Sequence, residues 1–343
     1  MSPVKAGILT GLLALLIVVY LGLEWRGRQL EERQGASRRL FQALDAGAVT
    51  GLRLERPGQP TVRLVKGGDG RWRIVEPREL RADQDTVQRV VRSLAEATVE
   101  RRLEGADPKA AEYGLVQPAA VVTLETAGGS RRLVVGADAP VGGAAYAQRD
   151  DDPAVVLVSS FVKSSATEKL FDLRDKRLVE VTEEGRIRRV EVRPVGAKGR
   201  PVVLVNTVED VKQPPRWRLE GAPAGRELDQ FRANQLVDAA TRMRMLEVLS
   251  DDRRGAAKAG LAPPQRTVTL TFDTGPGPTL EIGSPVDSRG TAVAVAGEPE
   301  VVLVDTRALE PLGWEPEALL APPPTPTPSP SPSPAPSPSP AGR

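Results

Sequence analysis

The segment Glu112–Glu125, EYGLVQPAAVVTLE, returns in blurred form as KAGLAPPQRTVTLT at Lys258–Thr271. In both copies a Gly-Leu pair is followed by Pro and then by alternating Val, Thr and Leu, the pattern of a turn that opens a half-buried strand. Gly114 and Gly260 stand 146 residues apart. Around them, Trp72 in RWRIVEP and Trp217 in RWRLEGA are offset by 145, and VVLVSS from Val155 and VVLVDT from Val301 by 146. Gly136 closing RRLVVG and Gly283 closing PTLEIG are offset by 147. An offset held over four motifs implies one fold present twice.

Each copy reads alike. A first strand (GLRLE or RRVEV) and a second (TVRLV or PVVLV) lead towards the Trp strand, and KGGDGRW has the Gly and Asp content of a tight hairpin. In ADQDTVQRVVRSLAEATVERRL, Val87, Val90, Val91, Leu94 and Thr98 fall at helical spacing after a cap at Asp83. Ala233, Leu236, Val237 and Ala240 form the equivalent stripe 146 residues later. A meander of antiparallel strands completes each copy. The expectation is an α+β protein of two tandem repeats, each an antiparallel sheet with a packed helix, after an N-terminal transmembrane helix. Its expected parts are a tail at 1–5, an anchor at 6–23, a juxtamembrane linker at 24–43, first and second units at 44–172 and 173–313, and a Pro/Ser-rich disordered tail at 314–343.

Composition narrows the chemistry. Of 343 residues 40% are hydrophobic but only 3% aromatic, so the cores must be built from aliphatic side chains. The net charge of +2 arises from 47 basic and 45 acidic residues, largely interspersed, which gives no basic face for nucleic acid. Cys and His are absent. That removes disulfides, thiol nucleophiles, thiolate or imidazole metal ligands and His-dependent triads together.

Residues 6–23, AGILTGLLALLIVVYLGL, carry no charge and are long enough, at about 1.5 Å per residue, to cross most of a ~30 Å hydrocarbon core. GLEWRGRQ follows where a signal peptide would need small residues for cleavage, so a retained single-pass anchor is expected. Trp25 and Tyr20 suit the interface. Arg26, Arg28, Arg33, Arg38 and Arg39 follow the span while Lys5 alone precedes it, which by charge would hold the bulk in the cytoplasm, although large domains translocate regardless. At the other end Pro alternates with Ser, Thr or Ala, as in an extended polyproline II tail.

No phosphate-loop motif occurs, and the Gly clusters read as hairpin turns. Asp150–Asp152 precede Pro153 without the spaced ligands of a calcium loop and read as a solvated turn. Asp83 reads as a helix cap. Leu173, Arg174, Asp175 and Lys176, in FDLRDKRL, form the densest charged motif at the join between the copies, where salt bridges fixing the inter-unit angle are expected rather than an anion site. Trp72 and Trp217 recur in identical settings, as packing residues do. No catalytic, cofactor or metal residues are assigned. Carboxylates that meet only in space leave a carboxylate-dependent hydrolase open, and a cell-envelope polymer-binding module is a further alternative.

The order of motifs, W-x-I-x-x-P, AD-x-x-x-V, YGL-x-x-P, L-x-V-G, Y and V-x-L-V ending in LRDK, resembles the domain-of-unknown-function 4340 family of bacterial membrane-anchored proteins. Trp72, Ala82, Asp83, Val87, Tyr113, Gly114, Leu115, Pro118, Gly136, Tyr146 and Leu173–Lys176 carry the likeness over residues 44–312. The second copy departs from it with Ala259 in the Tyr position, while Pro264 keeps the terminal Pro. The resemblance implies a non-enzymatic accessory or scaffold protein of the bacterial inner membrane, without cofactor, with extracytoplasmic units. Its implied partners are the membrane and an ABC permease with auxiliary subunits of the gliding-motility type.

Overall fold

The computed structural model describes residues 39–42, 44–140, 142–181, 185–195, 199–210 and 212–322. It is mostly β, with few helices, and divides after Asp175 into two compact units. The first unit runs β1 (Val49–Glu55), β2 (Val62–Lys66), β3 (Trp72–Glu76), β4 (Leu80–Arg81), α1 (Gln84–Ala95), β5 (Val99–Leu103), β6 (Ala120–Thr126), β7 (Gly129–Asp138), β8 (Ala144–Arg149), β9 (Asp152–Ser159), α2 (Ser160–Ala166) and α3 (Leu170–Leu173). The second runs β10 (Ile187–Pro194), β11 (Val202–Asn206), β12 (Trp217–Leu219), α4 (Gln230–Thr241), β13 (Met245–Ser250), β14 (Arg266–Phe272), β15 (Gly275–Pro285), β16 (Gly290–Val295) and β17 (Val301–Asp305). Both sheets are antiparallel. The nine-stranded order is β4-β3-β2-β1-β6-β7-β8-β9-β5, and the eight-stranded order, β12-β11-β10-β14-β15-β16-β17-β13, repeats it without a counterpart of β4.

The registers repeat as well. Leu52 of β1 faces Leu64 and Leu124, and Leu54 faces Val62 and Val122, all fully buried. In the second sheet Val190 faces Leu204 and Leu270, and Val192 faces Val202 and Val268. Because side chains alternate across a strand, these rows put one face of each sheet in the core. α1 closes the first core with Val87, Val90, Val91 and Leu94, and α4 carries Ala233, Leu236, Val237 and Ala240 as its buried face. Asp83 Oδ1 accepts from Thr86 N at 2.9 Å, and Asp229 Oδ1 from Phe231 N at 2.9 Å, each satisfying an orphan amide of its helix.

The repeated Gly-Leu turn has a steric cause. Gly114 (φ 62°) and Gly260 (φ 66°) both take the left-handed conformation, which L side chains resist. A methyl on Gly136 would overlap the Tyr113 carbonyl, and one on Gly283 the Ala259 carbonyl. The turn therefore lies directly against the strand that carries the second glycine.

Three expectations need correction. The helix ends at Ala95, so Thr98 lies beyond it, and the charged VERRL is edge strand β5, whose residues Glu100–Arg102 are exposed. Residues 314–320, expected in the disordered tail, belong to the second unit: a 3-10 turn over Pro316–Leu319 buries Leu319 and Leu320, and Leu320 bridges to Leu228. Asp152 is no solvated turn residue. Its carboxylate takes Arg102 Nη1 and Nη2 at 2.6 and 2.9 Å and Arg149 Nη2 at 3.1 Å, clipping β5 onto the sheet. The expected anchor at 6–23 and the tail beyond 322 lie outside the described residues, among which no helix is long and apolar enough to cross a membrane.

Two predictions follow from these contacts. Gln84 Oε1 accepts from Trp72 N at 2.7 Å and its Nε2 donates to Trp72 O at 2.9 Å; Gln230 makes the same pair of bonds to Trp217, both at 2.9 Å. Gln84→Ala or Gln230→Ala strands two partly buried backbone groups and should cost about 2 kcal/mol by urea unfolding. The Arg102 guanidinium, with the Ala154 amide next, lowers the Asp152 carboxyl to about 2. A depressed carboxylate stabilises the fold above its unfolded value and loses that contribution as pH falls through the folded one. Asp152→Asn should therefore cost about 1 kcal/mol at neutral pH, allowing for the exposure of Arg102, and the gap to wild type should close between about pH 4 and pH 2 in acid-unfolding curves.

Candidate functional site

The charged junction motif divides between the units. Asp83 N donates to Leu173 O at 2.9 Å and Asp175 N to Arg81 O at 2.8 Å, while Ala82 bridges to Arg174. Leu173–Asp175 is thus a strap laid along β4 and the cap of α1. Arg174 and Asp175 are buried, and Asp175 has Arg81 at 3.8 Å. Lys176 belongs to the second unit, where its carbonyl accepts from Met245 N at 2.8 Å. The second unit has its own strap: Asp229 N donates to Leu319 O and Ala321 N to Glu227 O, both at 2.8 Å, 146 residues after the corresponding bonds of the first. Its sequence, LLA, holds none of the charges of LRD.

Tyr113 lies edge-on to Tyr146, centroids 4.8 Å apart at 64°. A hydrogen bond with Glu112 holds the Tyr113 hydroxyl above its ordinary pKa. Leu115 is buried beside Gly136. At the matching positions the second unit has Ala259 and Ala292, both within a small apolar cluster. These sequence-selected residues therefore pack the first unit. They do not converge on one another's charges, and among the described residues no group of three or more carboxylates is placed to hold a metal ion.

A cavity of about 970 Å³ does occur, entirely among residues of the second unit. Trp217 from β12, Val237 from α4, Ile187 from β10 and Val179 supply apolar wall. Arg177, Arg186, Arg242 and Arg244 supply positive charge, against Asp238 as the single carboxylate of the described lining. Arg242 Nε lies 3.0 Å from Asp238 Oδ1. Arg186 gives its guanidinium to two carbonyls, that of Asp210 and, at 2.8 Å, that of Gln213, which satisfy N–H groups without cancelling charge. Trp217 Nε1 donates to Asn234 Oδ1 at 3.0 Å, and Asn206 is fixed by Ile187 O at 3.2 Å and Val208 N at 3.1 Å. The groups are cations, amides and an aromatic edge, a set suited to recognition.

Trp217, whose repeated setting marks it as a packing residue, lines this cavity, and no sequence pattern marks the arginines. Each is scattered in sequence, and only α4, β10 and the segment after Lys176 bring them to one opening. Gln84 and Gln230 were also missed, although the repeated Asp-Gln dipeptide was there to be seen.

The chain belongs to the family described as Domain of unknown function (DUF4340), whose profile matches residues 72–249. The match starts at Trp72 and runs through the first unit into the second, ending in β13, a shorter span than the motifs suggested. Comparison with curated proteins and with solved structures finds no match.

The strap yields a prediction. Leu319 and Leu173 are both fully buried. Leu319→Ala should cost about 3 kcal/mol, as should Leu173→Ala, in thermal unfolding of the purified chain. A disordered tail at 314–320 would instead make the Leu319 change silent.

Proposed function

We propose that this chain is a non-enzymatic accessory or scaffold protein, held by residues 6–23 as a single-pass anchor in the bacterial inner membrane. Its two units are tandem copies of one sheet-and-helix design outside the cytoplasm, and they serve an ABC-type transport complex of the envelope. The observation that carries the reading is the placement of scarce aromatics. The chain has five Phe, yet Phe161 is 77% and Phe231 71% exposed, each in the first turn of a helix. Exposed aromatics on rigid elements are the side chains that anchor protein partners. The recognition chemistry of the second unit's cavity supports the same class of protein over a carboxylate-based hydrolase, because Asp238 is committed to Arg242.

Cross-linking of the full-length chain in native membranes, followed by identification of the linked peptides, tests the proposal. Permease peptides should appear with the wild type and fall at least severalfold with Phe161→Ser and Phe231→Ser combined. The two changes are at the surface and should move stability by no more than about 0.5 kcal/mol each. Absence of permease peptides, or cross-links indifferent to both substitutions, would overturn it. Protease added to intact spheroplasts should digest both units, and their full protection would reverse the orientation.

A further inference from the structure

The outer face of α1 and its C-cap carries Asp85, Arg89, Arg92 and Glu96, all exposed, along a hollow of about 570 Å³. Asp85 with Arg89 and Arg92 with Glu96 have the spacing of helix-surface ion pairs, yet among the described residues none of the four is in an ion pair. Arg89 Nη2 donates to Thr86 Oγ1 at 2.9 Å. The fold does not require this row of charges. α4 keeps the buried stripe, but 146 residues on the four positions hold Phe231, Gln235, Asp238 and Arg242, and the last two pair at 3.0 Å. What the first unit has of its own is the segment that leads into it. Arg39 bridges to Thr98 and Leu40 N donates to Ala97 O at 2.7 Å, so the chain enters directly beyond Glu96, at the C-terminal end of α1. Before Arg39 stands EWRGRQLEERQGASR, residues 24–38, outside the described residues. After Glu24 its charges run Arg26 and Arg28, Glu31 and Glu32, then Arg33 and Arg38, positive, negative, positive, where α1 runs negative, positive, negative.

We propose that residues 26–38 dock along the outer face of α1 and run parallel to it, with Arg28 towards Asp85, Glu31 and Glu32 towards Arg89 and Arg92, and Arg38 towards Glu96. The direction follows from the entry of the chain at Thr98, which puts the end of the segment beside the end of the helix. The lengths agree, because Arg28 to Arg38 and Asp85 to Glu96 match within one residue step, each about 16 Å at the rise of a helix. A second copy of this face is a poor occupant: laid on itself in either direction, the row sets like charge on like. Exposed ion pairs are individually weak, but they need little strength here, since the tether at Arg39 makes docking intramolecular and the local concentration of the segment high. Residues 26–38 then form a fixed stem to the first unit in place of a flexible linker. Such docking needs no bilayer, so it holds independently of the anchor reading.

Hydrogen exchange of the full-length chain in detergent micelles tests it. The amides of residues 28–34 should exchange at least tenfold more slowly than in a synthetic peptide of residues 24–38. Glu31→Arg with Glu32→Arg should bring them to within about twofold of the peptide, as should Arg89→Glu with Arg92→Glu, and the four changes together should restore protection. All these positions on α1 are at the surface, so the unfolding temperature of the first unit should stay level. The chain has no Cys, so an engineered pair is the sole pair. Glu32→Cys with Arg89→Cys should close an intramolecular disulfide on oxidation at least tenfold faster than Glu32→Cys with Glu112→Cys, whose exposed second position lies on the turn against β7. Exchange at the rate of the peptide, protection that survives the reversal on α1, or no recovery in the fourfold variant would each overturn the proposal. So would disulfides that join two chains in place of closing within one, which would put a second copy on this face.

Discussion

In each unit the side-chain amide of one glutamine, Gln84 or Gln230, stands in for a neighbouring strand, accepting from the backbone N–H of the Trp residue and donating to its carbonyl. The constraint is strict because an amide is the neutral side chain that offers donor and acceptor side by side in the geometry of a peptide group. It fixes three things together. The helix start is held against the Trp strand, the preceding Asp is placed to cap the helix, and the indole is directed to the helix's apolar face. With the helix located in this way, the strap residue Leu173 or Leu319 finds the cap amide for its carbonyl, and the core is closed at that end. The dipeptide Asp-Gln is thus a joint between sheet and helix, used twice.

A second joint sits in the interior of the sheet, where the Gly-Leu turn lies on β7 or β15, the strand carrying Gly136 or Gly283. Here the contact is between backbones, with no room for a Cβ, so the glycines are required while the residue before the turn glycine is free to differ between the copies. That is why the tyrosine pair of the first unit could be exchanged for Ala259 and Ala292 in the second without loss of the turn.

These two joints explain how much of the molecule was legible in its sequence. Strands with buried rows, such as Leu52-Leu54 and Val190-Val192, and helices with aliphatic stripes announce themselves because burial writes a period into the sequence. β5 did not, because an edge strand clipped by Arg102 to Asp152 needs no apolar alternation. Leu319 and Leu320 were hidden by the proline-rich composition around them, although they repeat the strap at Leu173 and Arg174. The cavity was the least visible feature of all. Its lining comes from separate elements, among them Val179, which follows the course taken by Phe41 in the first unit.

A duplicated scaffold allows that kind of change. Filling a core position with Phe stabilises through the apolar area it removes from water, and losing the ring leaves a cavity whose cost grows with its volume. Here the first unit keeps Phe41, Tyr113 and Tyr146 in its packing, and the second gives up all three aromatic positions, to Val179, Ala259 and Ala292. The second unit recovers part of the loss elsewhere: Trp217 Nε1 gains Asn234 as an acceptor, whereas the buried Trp72 Nε1 has no partner among the described residues. Arg186 likewise holds Asp210 and Gln213 at the mouth of the opening. The second unit is thus held by hydrogen bonds from Trp217 and Arg186 where the first relies on aromatic packing.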